Sequence, residues 1–293
     1  MKTAAFRHVR AETVDQALTA LGSDEDARVL AGGQSLVPIM ALRLSTPSVL
    51  VDITRCTELR SHGWDGPDLT VGAAVTDRVL ERDPEVRSGH PLLSRTLSLI
   101  AHPEIRARGT LCGSLAHADP AAELPALLLA SDGHVLVRGP EGARSIAAED
   151  FFTGPFSPAL EPGEMVVGAR LPAPGRRSGW SVEEISRRRG DFAIVGIVCV
   201  LDLGDDDRCS RARVSLFGVA STPVRARRAE QVLVGTDLQD DALDAAAVVC
   251  FDGVEVLGDD VHASAGYRRR AGTALVRRAL GSAARLAGGS RHD

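Results

Sequence analysis

Two glycine turns carry most of the chemistry this sequence can do. The first is Ala31-Gly32-Gly33-Gln34-Ser35, and the second is Gly109-Thr110-Leu111-Cys112-Gly113-Ser114. Each follows an apolar segment and precedes a candidate helix. Glycine lets backbone approach a ligand closely, and the exposed N–H groups of a turn hydrogen-bond anions. Two such turns can grip the two phosphates of a dinucleotide from opposite sides, with Ser35, Thr110 and Ser114 supplying hydroxyls. Alone, either turn is equally an ordinary cap. Two carboxylates, Asp119 and Glu123, stand near a helix start. That spacing can hold the hydroxyls of a ribose or ribityl chain, and it is also the usual placement of acids in a first helical turn.

Other nucleotide and catalytic signatures are absent. There is no G-x-G-x-x-G after a strand and no G-x-x-x-x-G-K-[ST]. Gly33-Gln34-Ser35-Leu36-Val37 misses the nucleophile elbow G-x-S-x-G at its last residue. The five cysteines, Cys56, Cys112, Cys199, Cys209 and Cys250, are spread out with no C-x-x-C pair, and the eight histidines are equally dispersed. This spacing suggests no disulfide framework, and no zinc or iron–sulfur site held by this chain.

The elements that must position these turns follow from the hydrophobic pattern. Arg28–Leu30 reads as a buried strand that ends in the first glycine turn. Ser35 then caps a helix through Leu36–Leu42, with Pro38 tolerated in its first turn. Val49–Ile53, Leu69–Val71 and Val135–Val137 read as strands. Thr76–Leu80, Leu92–Ala101 and Ala121–Ala130 read as helices, and Gly109–Ser114 as a turn. The stretch Leu171–Gly179, rich in Pro and Gly, reads as a linker. Beyond it Ser181–Ser186, Phe192–Leu203 and Ala212–Gly218 read as strands, the second apolar on both faces and therefore central. Helices follow at Val224–Leu233, opened by Pro223, at Ala242–Phe251, and at Tyr267–Leu286. The last is expected to hold Arg268, Arg269, Arg270, Arg277 and Arg278 on its wet side.

At 293 residues the chain is long enough for two domains. Its 44% apolar and 25% charged content is that of a globular protein, neither disordered nor fibrous. The longest apolar run, Phe192–Leu201, falls short of the ~20 residues that span a bilayer. MKTAAFRHVR lacks the apolar core of a secretory signal, so the expected location is the cytoplasm. The net charge is −5 and the one dense basic cluster, Arg187-Arg188-Arg189, is followed closely by Asp191. No footprint for nucleic acid is visible.

Taken together, the segments resemble a known family. Ala31-Gly32-Gly33-Gln34-Ser35-Leu36-Val37-Pro38-Ile39-Met40-Ala41-Leu42-Arg43-Leu44 is similar to the first flavin loop of the medium subunits of molybdenum hydroxylases, among them carbon monoxide dehydrogenase and xanthine dehydrogenase-like enzymes. The run Pro103–Pro125 resembles their second loop and the following helix. Arg189-Gly190-Asp191-Phe192-Ala193-Ile194-Val195-Gly196 is similar to the motif that opens their carboxy-terminal domain. Thr222–Ala226 and Asp260–Arg269 match later segments, so the resemblance covers nearly the whole chain in order.

The resemblance implies an α+β architecture. A two-subdomain FAD-binding domain of the vanillyl-alcohol-oxidase/CO-dehydrogenase type would span 1–175, divided near 57, and a CO-dehydrogenase-flavoprotein-like domain of three strands and helices would span 180–288. It implies FAD as cofactor, with Ala31, Gly32, Gly33, Gln34 and Ser35, flanked by Leu30 and Leu36, wrapping the pyrophosphate and ribityl chain. Thr110, Leu111, Gly113 and Ser114 would do so from the other side. Ala118, Asp119 and Glu123 would meet the cofactor next. Leu171 would lie near its rings or adenine, and Asp191 near the isoalloxazine.

It also implies partners: a large molybdenum-cofactor subunit and a small [2Fe–2S] subunit, as a dimer of heterotrimers. This chain would then be a flavoprotein subunit without a substrate-oxidising residue of its own, passing electrons from the iron–sulfur clusters through FAD to an external acceptor. The alternative is a stand-alone FAD-dependent oxidoreductase acting on a small molecule. Two departures from the pattern bear on this. The family's Thr-Ile-Gly-Gly reads Thr110-Leu111-Cys112-Gly113 here, which adds a side chain where backbone should approach phosphate; a small buried cysteine is the expected case, with a thiol facing the flavin as the alternative. The tyrosine that some relatives stack on the flavin has no counterpart, since the only tyrosine is Tyr267; Phe192 or an aliphatic residue is expected on that face.

Overall fold

Three short strands build the first sheet: Arg7–Arg10 (β1), Arg28–Leu30 (β2) and Val49–Asp52 (β3) pair in parallel with β3 in the centre. All four residues of β3 are buried, as a strand covered on both faces requires. These descriptions come from a computed structural model, which describes residues 2–289. The second sheet takes His62–Asp65 (β4), Asp68–Gly72 (β5), His134–Gly139 (β6) and Gly142–Ala147 (β7). A small ribbon of Phe152–Gly154 (β8) and Ser157–Pro158 (β9) follows, and then Met165–Pro172 (β10) enters between β5 and β6, antiparallel to both. β6 alternates half-buried and buried residues, the period-two signature of a sheet with one face on the core.

The third sheet is Ser178–Ser186 (β11), Ala193–Leu203 (β12), Cys209–Phe217 (β13) and Val224–Arg225 (β14), antiparallel in that order. β12 is apolar on both faces for a reason the packing makes plain. Val198 and Val200 join the core of the first two sheets, whereas Val195, Ile197, Cys199 and Leu201 join the core beneath the carboxy-terminal helices. The helix Glu123–Ala130 is buried along its whole length, apolar all round as such a helix must be. The long helix Ala265–Gly289 covers β11 so closely that a Cβ on Gly179 would stand 1.8 Å from the Ala283 carbonyl oxygen. No helix among the described residues is long and apolar enough to cross a membrane.

Four sequence expectations need correction. Most of the expected turn Gly109–Ser114 is helix: Leu111–His117 is helical, with Thr110 as its N-cap. Its apolar positions, Leu111, Cys112 and Leu115, are too few to announce a helix, yet all three are buried. Val224 and Arg225 are not helical, because they pair with Leu216 and Ser215 and add a fourth strand to the expected three; the helix begins at Arg227. The linker is short, since β10 runs to Pro172 and β11 starts at Ser178. Finally, Arg268 is not on the wet side. It is 3% exposed, its guanidinium donating to the carbonyls of Gly218 and Ala263 and to Asp260, because the 258–263 segment folds over it.

Candidate functional site

The two parallel strands β2 and β3 end on the same side of their sheet, and in such sheets ligands bind beyond the carboxyl ends of the strands. There the structure opens a cleft of about 620 Å³. Leu30, Ala31, Gly32, Gly33 and Gln34 form one wall, continued by Val37 and Pro38 of the helix Leu36–Ala41. Ala107, Arg108 and Thr110 form the opposite wall, and Thr54, Arg60, Ala74 and Thr76 close it below.

Backbone contact locks the two walls together. A Cβ on Gly32 would stand 2.1 Å from the Arg108 carbonyl oxygen and 2.8 Å from the Gly109 Cα, so only glycine permits the approach. Gly33 has φ +72°, the left-handed conformation that glycine adopts without strain. The N–H groups of Gly32, Gly33, Gln34 and Ser35 make no hydrogen bond among the described residues, while the Gln34 side chain donates back to the Gly32 carbonyl at 3.1 Å. Unpaired backbone donors lining a cleft are what an anionic ligand satisfies. FAD fits this arrangement, because its diphosphate needs hydrogen-bond donors and the cleft wall offers unpaired ones.

The second wall is held from behind. The Asp77 N–H donates to the Gly109 carbonyl at 2.8 Å, and Thr76 bridges Thr110 as an isolated β-pair. Arg106 turns inward, paired with Glu81 at 2.9 Å and donating to the Ile100 carbonyl at 2.8 Å. Thr110 Oγ1 accepts from the Gly113 N–H at 3.0 Å, and a Cβ on Gly113 would crowd that oxygen at 2.7 Å. Cys112 does not face the cleft. It is 2% exposed with its Sγ 3.6 Å from the Val71 carbonyl, and burial pushes its thiol well above the usual range. Cys112 thus takes the ordinary place of a small buried cysteine, and its side chain does not enter the cleft.

Ser114 lies within the same helix, half-buried. The helix ends at Ala118, which takes a left-handed φ of +51° and whose carbonyl accepts from the Phe156 N–H at 3.0 Å. Asp119 Oδ1 then accepts from the Ala121 N–H at 2.9 Å and steers the chain into the helix that starts at Glu123. Glu123 is 8% exposed, and burial, reinforced by Glu184, Asp119 and Asp77, pushes its carboxyl up to about 8. Burial likewise raises Asp77 to about 7 against the pull of Arg106, and Glu184 on β11 to about 7 against that of Arg95. Buried oxygens of both Asp77 and Glu184 have no hydrogen-bond partner among the described residues.

The structure thus brings the Leu30–Gln34 loop and Thr110 into one cleft, sets Ser114 and Ala118 on the helix leading away from it, and places Asp119 and Glu123 on the turn and the next helix that follow. Leu36 is half-buried beside the first loop and Leu111 is buried beneath the second. Leu171 lies on β10 opposite Leu69, fully inside the core. Asp191 is on an exposed turn whose Gly190 packs against Ala101 and His102, and its neighbour Phe192 is 66% exposed. Sequence reasoning missed Thr54, Arg60, Ala74, Thr76 and Arg108 as cleft residues. Only Arg108 had a signal, its place immediately before the second glycine turn.

Comparison with known proteins agrees with this geometry. Residues 4–174 match the model for the FAD binding domain in molybdopterin dehydrogenase, and residues 180–283 match that for the CO dehydrogenase flavoprotein C-terminal domain. The chain is 38% identical to the alpha subunit of the 6-hydroxypseudooxynicotine dehydrogenase complex of Paenarthrobacter nicotinovorans, over 97% of this chain and 96% of that one. It is 38% identical to the carbon monoxide dehydrogenase medium chain of Afipia carboxidovorans, over 90% of each. Among solved structures it superposes on carbon monoxide dehydrogenase of Hydrogenophaga pseudoflava with a TM-score of 0.93 at 36% identity, covering 97% of this chain and 98% of that one. The chain belongs to the family of FAD-binding medium subunits of molybdenum hydroxylases, an oxidoreductase subunit rather than a stand-alone enzyme.

Proposed function

We propose that this chain takes electrons from the [2Fe–2S] clusters of a small partner subunit and delivers them, through FAD held in the cleft, to an external acceptor. A large partner subunit with the molybdenum cofactor would oxidise the substrate, and the assembly would be a dimer of heterotrimers in the cytoplasm. The observation that carries the reading is the pair of glycine loops locked through Gly32 and Arg108, with the unpaired N–H groups of Gly32, Gly33 and Gln34 on one wall. Bound FAD supplies the exchange between one-electron and two-electron chemistry.

The residues of this chain bind, orient and shield. Leu30 to Leu36 and Thr110 to Ser114 would hold the diphosphate and the start of the ribityl chain. Ala118, Asp119 and Glu123 would meet its hydroxyls, Glu123 as a protonated carboxyl that can both donate and accept at neutral pH. Leu171 would lie near the rings or adenine, and Asp191 at the domain junction near the isoalloxazine. We take the cofactor unit to run to about residue 175, divided near 57, and the carboxy-terminal unit to span 180–288.

All five cysteines are buried and unpaired, and among the described residues no group of three His, Cys, Asp or Glu side chains could hold a metal ion. Iron–sulfur ligands on another chain fit that distribution. The test is a tagged purification from the native host with flavin, iron and molybdenum assayed per chain. The expected result is one FAD, about four irons from two [2Fe–2S] clusters, one molybdenum and two co-purifying subunits. FAD without metal or partners would overturn the electron-transfer reading.

A further inference from the structure

The charge of the cleft is as informative as its shape. In a protein of net charge −5, no Asp or Glu lines the cleft, whereas two arginines, Arg60 and Arg108, do. Neither guanidinium has a hydrogen-bond or ion-pair partner among the described residues. Where the fold buries an arginine it gives the guanidinium a partner. Two residues before Arg108, Arg106 is buried and forked onto Glu81; across the molecule Arg225 is shared by Asp132 and Glu230. The two cleft arginines are exposed instead, on the lining of the cleft that the glycine loops form.

Their backbones are fixed there by close packing. The Arg108 carbonyl is pressed against Gly32, so its Cα cannot move without parting the two walls. Arg60 follows Leu59, whose carbonyl accepts from the Ala74 N–H at 2.9 Å and lies 2.5 Å from where a Cβ on Gly72 would be. Two guanidiniums with nothing to bind, anchored on rigid backbone around unpaired N–H donors, make a site for a doubly charged anion. Guanidinium forks match phosphate oxygens two at a time, and charge-assisted bonds of this kind are the strong ones.

We propose that Arg60 and Arg108 are binding residues for the diphosphate of the cofactor, closing over the anion that the glycine loops cradle and setting the preference of the cleft for diphosphate nucleotides. The proposal rests on the FAD reading above. The loops alone offer neutral donors; the arginines supply the two positive charges that balance the two phosphates, and the adjoining Thr76 and Thr110 hydroxyls complete the polar rim.

The experiment titrates deflavinated full-length chain with FAD, and with ADP as a competitor that carries the diphosphate but no flavin. Both arginines are exposed, so Arg60→Gln and Arg108→Gln should fold as wild type, which circular dichroism checks. Each should weaken FAD and ADP binding by about tenfold, the double variant by more, and Arg108→Lys should recover part of the loss. Raising salt from roughly 50 to 500 mM should weaken wild type more than the double variant, because exposed charges are screened. If the folded double variant binds FAD and ADP as tightly as wild type, the arginines have no such role while the FAD reading stands. If wild type itself binds no FAD, that reading falls and the proposal falls with it.

Discussion

Gly32 and Arg108 touch through backbone alone: a Cβ on the glycine would lie 2.1 Å from the arginine carbonyl oxygen. This contact turns two loops far apart in sequence into one cleft. It explains why the first turn carries two glycines for two reasons, the first for approach and the second for a left-handed φ.

The second reason can be isolated. Gly33→Ala places a Cβ 3.1 Å from Leu30 Cδ1 in a residue at φ +72°. The conformational penalty alone is about 1–2 kcal/mol. The variant should stay folded, with its urea midpoint lowered accordingly and its FAD affinity reduced. Unchanged stability would mean that the loop relaxes freely.

Cys112 is predicted to be inert. Its buried thiol, raised by desolvation, should resist alkylation in the native chain and react only on unfolding. Cys112→Ala should leave FAD affinity within about twofold. Cys112→Gly restores the family pattern but puts glycine in a helix, at a cost of about 1 kcal/mol relative to Ala. Rapid labelling of Cys112 in the folded protein would contradict the geometry.

The buried carboxyls tie stability to pH. Asp77 and Glu184 titrate near 7 and Glu123 near 8 in the fold, against about 4 in an unfolded chain. Above pH 4 the unfolded chain releases these protons while the folded one keeps them, so stability falls as pH rises and levels off above about 8. The Tm of the FAD-free chain should therefore drop between pH 6 and 8 in a calorimetric series, and Glu123→Gln should flatten the drop. A Tm that rises across this range would have the wrong sign.

Asp132 clamps the cofactor unit to the carboxy-terminal sheet. It accepts from Arg211 at 2.6 Å, Arg213 at 3.3 Å and Arg225 at 2.9 Å, and the Arg213 and Arg225 side chains are nearly buried. Removing one partner of a buried pair strands the other's charge, at 3–5 kcal/mol when burial is complete. Asp132 is partly exposed, and Arg213 and Arg225 keep Asp202 and Glu230 as partners, so Asp132→Ala should cost less, about 1–2 kcal/mol, read from urea unfolding. A loss under about 0.5 kcal/mol would assign the network to the surface class.

Much of the site was legible because glycine spacing is a local signal. Leu30 to Gln34 stood out for that reason, as did Thr110, and the strand Arg28–Leu30 that presents them was plain from its apolar run. Thr76 and Arg60 were not legible. Thr76 reaches the cleft through pairing with Thr110, and Arg60 because its neighbours Leu59 and Ser61 pack on Gly72, contacts between residues distant in the chain. The helix at Leu111 was hidden because its glycine and cap residues read as a turn. Arg268 was misplaced because helical periodicity sees only the helix, not the 258–263 segment that folds across it.

The locked glycine loops are the proposed seat of the cofactor. The most direct test of that placement is the flavin content of purified full-length Gly32→Val beside wild type, with circular dichroism to confirm folding. The account predicts about one FAD per wild-type chain and little or none on a folded Gly32→Val chain. A folded Gly32→Val chain carrying its full complement of FAD would contradict it.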